Sequence, residues 1–143
     1  MYLVTGGAFQ GKQKWVKQLL LDTKGNHLWI DGYRQQDYSV EQFEMADIVV
    51  IEGMEDLIRE QLDRYSREYW NHMLVLWRNW EKQNETNKLI IIGCEIGLGV
   101  VPMNKEDRLW RDVVGWVYQD IAGKSDIVVR VWCGLAETLK EEK

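Results

Sequence analysis

Short apolar runs alternate along this chain with stretches of helical period, and that alternation limits the possible folds more than any other feature. The runs are Tyr2–Val4, Leu28–Ile30, Ile48–Ile51, Leu89–Ile92 and Ile127–Trp132. They are bounded by turn residues and rich in valine and isoleucine, as strands covered on both faces are. Between them, residues 12–21 carry Trp15, Val16, Leu19 and Leu20 on one side. Residues 55–83 repeat apolar groups at Ile58, Leu62, Tyr65, Tyr69, Met73, Leu76 and Trp80, a spacing of three and four that predicts one long helix. Residues 105–122 place Leu109, Val113, Val117 and Ile121 four apart, with Asn104 as a candidate N-cap. Strand alternating with helix predicts an α/β domain with a mainly parallel sheet and helices on its faces. The chain reads as one domain over residues 1–143, and its tail from Lys140 to Lys143 is expected to fray.

Composition excludes several classes of function. A net charge of −5 argues against a nucleic-acid partner, whose footprint is normally a basic domain. Charge-free stretches such as Ile96–Asn104 fall far short of the ~20 apolar residues of a membrane span. The N-terminus runs directly into the first apolar run, so a secretory signal is not expected. Cys94 and Cys133 stand outside any CxxC or Cys/His cluster, which points away from a disulfide framework or a zinc site. Together these features predict a cytoplasmic protein. The eight tryptophans read either as core aromatics or as an oligomer face or platform for a flat ligand.

The chemistry is concentrated after the first strand. Thr5 is followed by Gly6-Gly7-Ala8-Phe9-Gln10-Gly11-Lys12, and a helix opens at once. This is the GxxxxGK core of a phosphate-binding loop (P-loop), set between strand and helix where its mechanism requires. Glycines let the backbone curl so that successive N–H groups face phosphate oxygens, and the helix N-terminus adds partial positive charge. Lys12 would reach the outer phosphates. The motif ordinarily continues with Ser or Thr, whose hydroxyl ligates Mg²⁺; here Gln13 follows, with a longer side chain and an amide. Glu52 closes the run Ile48–Ile51 at its carboxyl end, where ligands bind in such sheets. It reads as a carboxylate holding Mg²⁺ through water, or as a solvated loop glutamate. Asp31, at the same edge, reads as a proton acceptor for a substrate hydroxyl or as a turn aspartate. A second glycine cluster, Glu95-Ile96-Gly97-Leu98-Gly99-Val100-Val101-Pro102, follows the fourth strand and would let backbone approach a ligand closely.

These segments, taken in order, resemble the adenosylcobinamide kinase / adenosylcobinamide-phosphate guanylyltransferase family. Leu3-Val4-Thr5-Gly6-Gly7-Ala8 with Gly11-Lys12 is similar to the family's LVTGGARSGKS. Glu95-x-Gly97-x-Gly99-x-Val101-Pro102 is similar to its NEVGxGxVP. Arg111-Asp112-x-x-Gly115-x-x-x-Gln119-x-x-Ala122 resembles its RDxxGxxNQxxA helix, with Tyr118 replacing the asparagine. The segment from Ile127 through Gly134 to Leu135 resembles its closing strand and glycine.

The resemblance implies a P-loop NTPase-like three-layer fold, assembled as a homo-oligomer, and a role in cobalamin biosynthesis or salvage. It implies phosphorylation of adenosylcobinamide by ATP or GTP with Mg²⁺, followed by transfer of GMP through a guanylylated histidine. By position, residues 6–13 (Gly6, Gly7, Ala8, Phe9, Gln10, Gly11, Lys12, Gln13) would bind the nucleotide. Glu52 matches the acid that ends the family's LLE strand, and Glu95, Gly97, Gly99 and Pro102 would line the active-site edge. The departures concern Gln13 for serine, Phe9-Gln10 for Arg-Ser, and a shorter middle segment with no histidine between Asp31 and Ala46. The reading is therefore a nucleotide-binding protein in which the kinase step, with Lys12 and Glu52 as its catalytic pair, is favoured over guanylyl transfer. The alternative is a P-loop binding or assembly module without turnover.

Overall fold

The structure, a computed structural model, describes residues 1–97 and 101–142. The five predicted runs form strands, four of them with slightly wider limits: β1 (Tyr2–Gly6), β2 (His27–Asp31), β3 (Ile48–Glu52), β4 (Lys88–Cys94) and, as predicted, β5 (Ile127–Trp132). A sixth, β6 (Leu135–Glu141), completes one sheet in the order β2-β3-β4-β1-β5-β6. All neighbours are parallel except β5 and β6. Helix α1 (Lys12–Leu20) follows β1, α2 (Met54–Glu60) and α3 (Ser66–Lys82) lie between β3 and β4, and α4 (Lys105–Lys124) joins β4 to β5. Two 3₁₀ turns, Gly32–Arg34 and Val40–Phe43, connect β2 to β3.

The pleat divides the core into two layers, since successive side chains of a strand face opposite ways. Val49, Ile51, Leu89 and Ile91 pack with Leu57, Trp70, Trp77, Val113 and Val117 from α2, α3 and α4. Val50, Ile90, Ile92 and Val129 pack with Val16 and Leu20 of α1. Helices therefore cover both faces, and the chain has the P-loop NTPase-like three-layer α/β arrangement with a mainly parallel sheet. Asn104 caps α4 as expected, its side chain accepting a bond from the Glu106 N–H at 2.7 Å.

Three expectations need correction. The long helix over 55–83 is two helices, broken at residues 61–65. The buried Ser66 hydroxyl bonds to the Gln61 and Asp63 carbonyls and accepts from the Asp63 N–H at 2.7 Å, while the Asp63 carboxylate accepts from the Tyr65 N–H at 2.7 Å. Such local side-chain bonds compete with the helical ladder. The apolar face of α3 is also wider than the predicted one: Met73 and Trp80 are buried as expected and Trp70, Leu74 and Trp77 join them, while Leu76 is exposed. Finally, Lys140 and Glu141 belong to β6 rather than to a frayed tail. Cys133 and Gly134 both take positive φ (53° and 76°), the conformation of a two-residue hairpin turn, which pairs Trp132 with Leu135. A cysteine is an unusual residue there, which hides the turn from sequence inspection.

Trp70, Trp77 and Trp80 are core residues, whereas Trp116 and Trp132 are exposed. Among the described residues no helix is long and apolar enough to cross a membrane.

Candidate functional site

In a parallel sheet every strand delivers its carboxyl end to the same edge, and here those ends surround a cleft of about 700 Å³. Loop residues Ala8 to Gln13 form one wall, and Glu52 lies among the lining residues. The loop is built from both sides. Gly6 has φ +150°, and a Cβ there would collide with the Val131 carbonyl oxygen, so β1 can run this close to β5 only with glycine. The Gly6 carbonyl accepts from the Glu95 N–H at 2.9 Å. The β5–β6 turn holds the loop's far side: the Gly134 N–H donates to the Gln10 carbonyl at 2.8 Å, and the Cys133 N–H to Gln10 Oε1 at 2.7 Å. Phe9, at φ +59°, is fully solvent-exposed at the tip. Lys12 Nζ donates to the Gly7 carbonyl at 2.6 Å, which folds the ammonium back over the loop.

Glu52 Oε1 accepts from Gln13 Nε2 and from Trp29 Nε1, each at 3.2 Å. The motif lysine, the residue after it and the strand-end carboxylate are thus brought together, as the sequence suggests. Three further lining residues, Tyr33, Glu55 and Cys94, are not singled out by sequence reasoning. Glu55 is 6% exposed. Its Oε2 accepts from the Tyr33 hydroxyl at 2.6 Å and its Oε1 from the Cys94 N–H at 2.9 Å. Burial first, then the Glu55 carboxylate, pushes the Tyr33 phenol well above its ordinary range. Burial likewise raises the Cys94 thiol, opposed by the Lys12 charge. One signal for Glu55 was present: an acid set between Met54 and Leu57-Ile58, all of which are buried, needs a partner to be there.

The remaining predicted residues lie apart from this cleft. The Asp31 carboxylate accepts from the Tyr33 N–H at 3.0 Å and faces Arg34 at 3.6 Å, the geometry of a turn aspartate. Glu95 forms a two-pronged ion pair with Arg130 at 3.0 and 3.2 Å. With Gly97 it lines a separate depression of about 250 Å³ against Arg111 and Tyr118 of α4. The Pro102 carbonyl accepts from Arg108 Nη1 at 3.1 Å. Gly99 lies outside the described residues. His27 starts β2 at the opposite edge of the sheet, and His72 is exposed on α3.

Known proteins share these features to different extents. The crystal structure of flagellar accessory protein FlaH from Methanocaldococcus jannaschii superposes with a TM-score of 0.56 at 12% identity, covering 99% of this chain and 78% of that one; that likeness shows the fold. The bifunctional adenosylcobalamin biosynthesis protein CobP of Pseudomonas aeruginosa is 38% identical over 55 residues, 38% of this chain and 32% of the relative. The match therefore takes in about a third of that relative's length. A family model, CobU, described as cobinamide kinase / cobinamide phosphate guanyltransferase, matches residues 30–139 and so begins beyond the glycine loop. That segment holds Glu52, Glu55, Cys94 and the α4 motif, and on its strength the chain belongs to the cobinamide kinase / cobinamide phosphate guanyltransferase family.

Proposed function

We propose that the chain binds ATP or GTP at residues 6–13 and transfers the terminal phosphoryl group to the hydroxyl of a cobinamide, adenosylcobinamide being the expected acceptor, in cobalamin biosynthesis or salvage. One observation carries this reading: Lys12 and Glu52 face a single cleft at the carboxyl edge of a family member's sheet. The loop N–H groups and the α1 N-terminus would hold the phosphates, and Lys12 would leave the Gly7 carbonyl to neutralise charge as the phosphoryl group moves. Phosphoryl transfer of this kind depends on positioning and electrostatics more than on covalent chemistry. The kinase step is favoured over guanylyl transfer because neither His27 nor His72 lines the cleft, leaving no imidazole there to carry GMP.

The donor set fits Mg²⁺, which binds through one or two carboxylates plus phosphates and water. Glu52 is such a carboxylate, and Gln13 would present its amide oxygen after turning the nitrogen away from Glu52. Bound there, the ion would supply charge neutralisation on the phosphate oxygens. The exposed apolar side chains of Trp132 and Leu135 support association into a homo-oligomer.

A second reading, a binding module without turnover, is favoured by the bond from Gln13 to Glu52, in which the amide already takes the place of a cationic partner. Calorimetric titration of ATP and GTP with and without Mg²⁺, followed by a phosphorylation assay on adenosylcobinamide, separates the two. Binding that is strengthened by Mg²⁺ and followed by turnover supports the kinase. Binding indifferent to Mg²⁺ and without turnover supports the module, and absence of binding overturns both.

A further inference from the structure

A carboxylate as buried as Glu55 is costly unless it is paired or hydrogen-bonded. Its two oxygens are used differently. Oε1 accepts from the Cys94 N–H at the end of β4 and so joins α2 to the sheet; Oε2 accepts from the Tyr33 hydroxyl at 2.6 Å. The Glu55 carbonyl also accepts from Trp110 Nε1 at 2.8 Å, so the residue is held from β4, from α4 and from the turn after β2. The Tyr33 ring is seated with equal care. It lies against Gly53, where a Cβ would come within 3.0–3.1 Å of the ring carbons. Yet Tyr33 is 51% exposed and shares its cleft with Lys12, Gln13 and Glu52. Its hydroxyl proton is committed to Glu55, and among the described residues no group donates to its oxygen. A phenol oxygen with a free lone pair, backed by a buried carboxylate, is equipped to receive a proton and pass one on.

We propose that Tyr33 and Glu55 form a proton relay for the acceptor hydroxyl in the phosphoryl transfer described above, Tyr33 touching the substrate and Glu55 acting through it. The inference rests on that reading of the site. As the acceptor oxygen bonds to the γ-phosphorus, its O–H bond breaks and the proton passes to Tyr33 Oη. The proton already on Tyr33 moves to Glu55 Oε2. The bond between the γ-phosphorus and the bridging oxygen breaks, and the nucleoside diphosphate leaves with that electron pair. Tyr33 ends neutral, and Glu55 ends protonated until it returns its proton to solvent. The raised phenol pKa agrees with a hydroxyl that relays a proton without ionising. The titratable groups around the pair and its Cys94 anchor are Glu52 from β3, Cys94 itself, Glu95 after β4, Tyr118 from α4 and Lys12 from α1.

Two variants of the full chain test the relay, with GTP or ATP as donor and adenosylcobinamide as acceptor. Tyr33→Phe keeps the ring on Gly53 and removes only the relay oxygen. Glu55→Gln keeps an acceptor for the Cys94 N–H and removes the base. Tyr33→Phe should lower kcat about 10²-fold, the lower end of what general-base catalysis contributes, while calorimetry finds its nucleotide Kd within about twofold of wild type. Glu55→Gln should lower kcat by a similar factor at an unchanged nucleotide Kd. Because removing a buried charge can unfold the chain, Tyr33→Phe is the deciding variant. Wild-type kcat in Tyr33→Phe overturns the relay and leaves the kinase standing. Parallel loss of kcat and nucleotide affinity also overturns it, since a purely structural clasp behaves that way. A wild-type chain that binds nucleotide but phosphorylates no cobinamide overturns the kinase reading, and the relay with it.

Discussion

The two edges of the sheet carry cavities of nearly equal size, about 700 Å³ at the carboxyl edge and about 670 Å³ at the amino edge, yet their chemistry differs. At the amino edge Asn26, Asp47 and Asn87 bond to their neighbours, and the charged residues in the lining, Glu41, Glu44 and Asp47, are all acidic. The Asn26 N–H donates to Asp47 Oδ2 at 2.9 Å, Asn87 Nδ2 to the Trp80 carbonyl at 2.9 Å, and the Lys88 N–H to the Asp47 carbonyl at 2.9 Å. At the carboxyl edge, a cation and unused hydrogen-bonding capacity remain: among the described residues Lys12 rests on a single carbonyl, and Tyr33 has a free lone pair. Volume therefore does not identify a site. The difference follows from parallel topology, in which the carboxyl edge receives the loops that lead into α1 and α2, while the amino edge is closed by turns that start strands.

The comparison can be broken or sharpened in steps. Trp80 lines the amino-edge cavity and packs edge-on against Phe43, with centroids 5.1 Å apart. Trp80→Ala should cost about 3–5 kcal/mol in urea unfolding, with nucleotide affinity per folded molecule unchanged. A loss of affinity at constant foldedness would mean that the edges are coupled. Lys12→Ala should do the reverse. Removing a charge-assisted bond costs about 1.5–3 kcal/mol, so calorimetry should find nucleotide affinity roughly 10- to 100-fold weaker at an unchanged melting temperature.

Gln13→Ser restores a hydroxyl beside Glu52 and should raise any phosphoryl-transfer rate by roughly three- to tenfold. An unchanged or lower rate would show that the amide on Glu52 does not limit turnover. The smallest effect lies at neither edge. Asp120 accepts from Arg67 Nε and Nη2 at 2.9 Å and from Asn71 at 3.0 Å, and the Arg67 guanidinium holds its carboxyl below the ordinary value of 3.8. A carboxylate depressed in the folded state stabilises it above the unfolded value, and that contribution fades as pH falls through the folded one. Melting scans should therefore find wild type slightly more stable than Asp120→Asn at pH 7, by a margin that shrinks as pH falls below 3.8.

Much of this arrangement is legible in the sequence. The strand–loop–helix around residues 6–13 is local, and each part of it announces itself within a dozen residues. Glu52 is legible because a charged residue that ends an apolar run must sit at a strand end. The break between α2 and α3 is not, because apolar spacing continues through residues 61–65 while a buried serine and an aspartate redirect the backbone. Strand β6 escapes notice because its residues are mostly polar and it borrows its order from pairing with β5.

The sequence alone determined the alternation of strand and helix and the glycine loop with its lysine, since these depend on period, spacing and composition, and its ordered motifs carry the resemblance to the family. Only the tertiary structure decided which groups meet at the loop. Tyr33 and Glu55 are 22 residues apart, and Glu55 and Cys94 are 39 apart. They converge because parallel pairing sets Asp31 beside Glu52 and Glu52 beside Ile92. A carboxylate buried by that convergence is one no local pattern reveals, because its partners exist only after the strands have found their register.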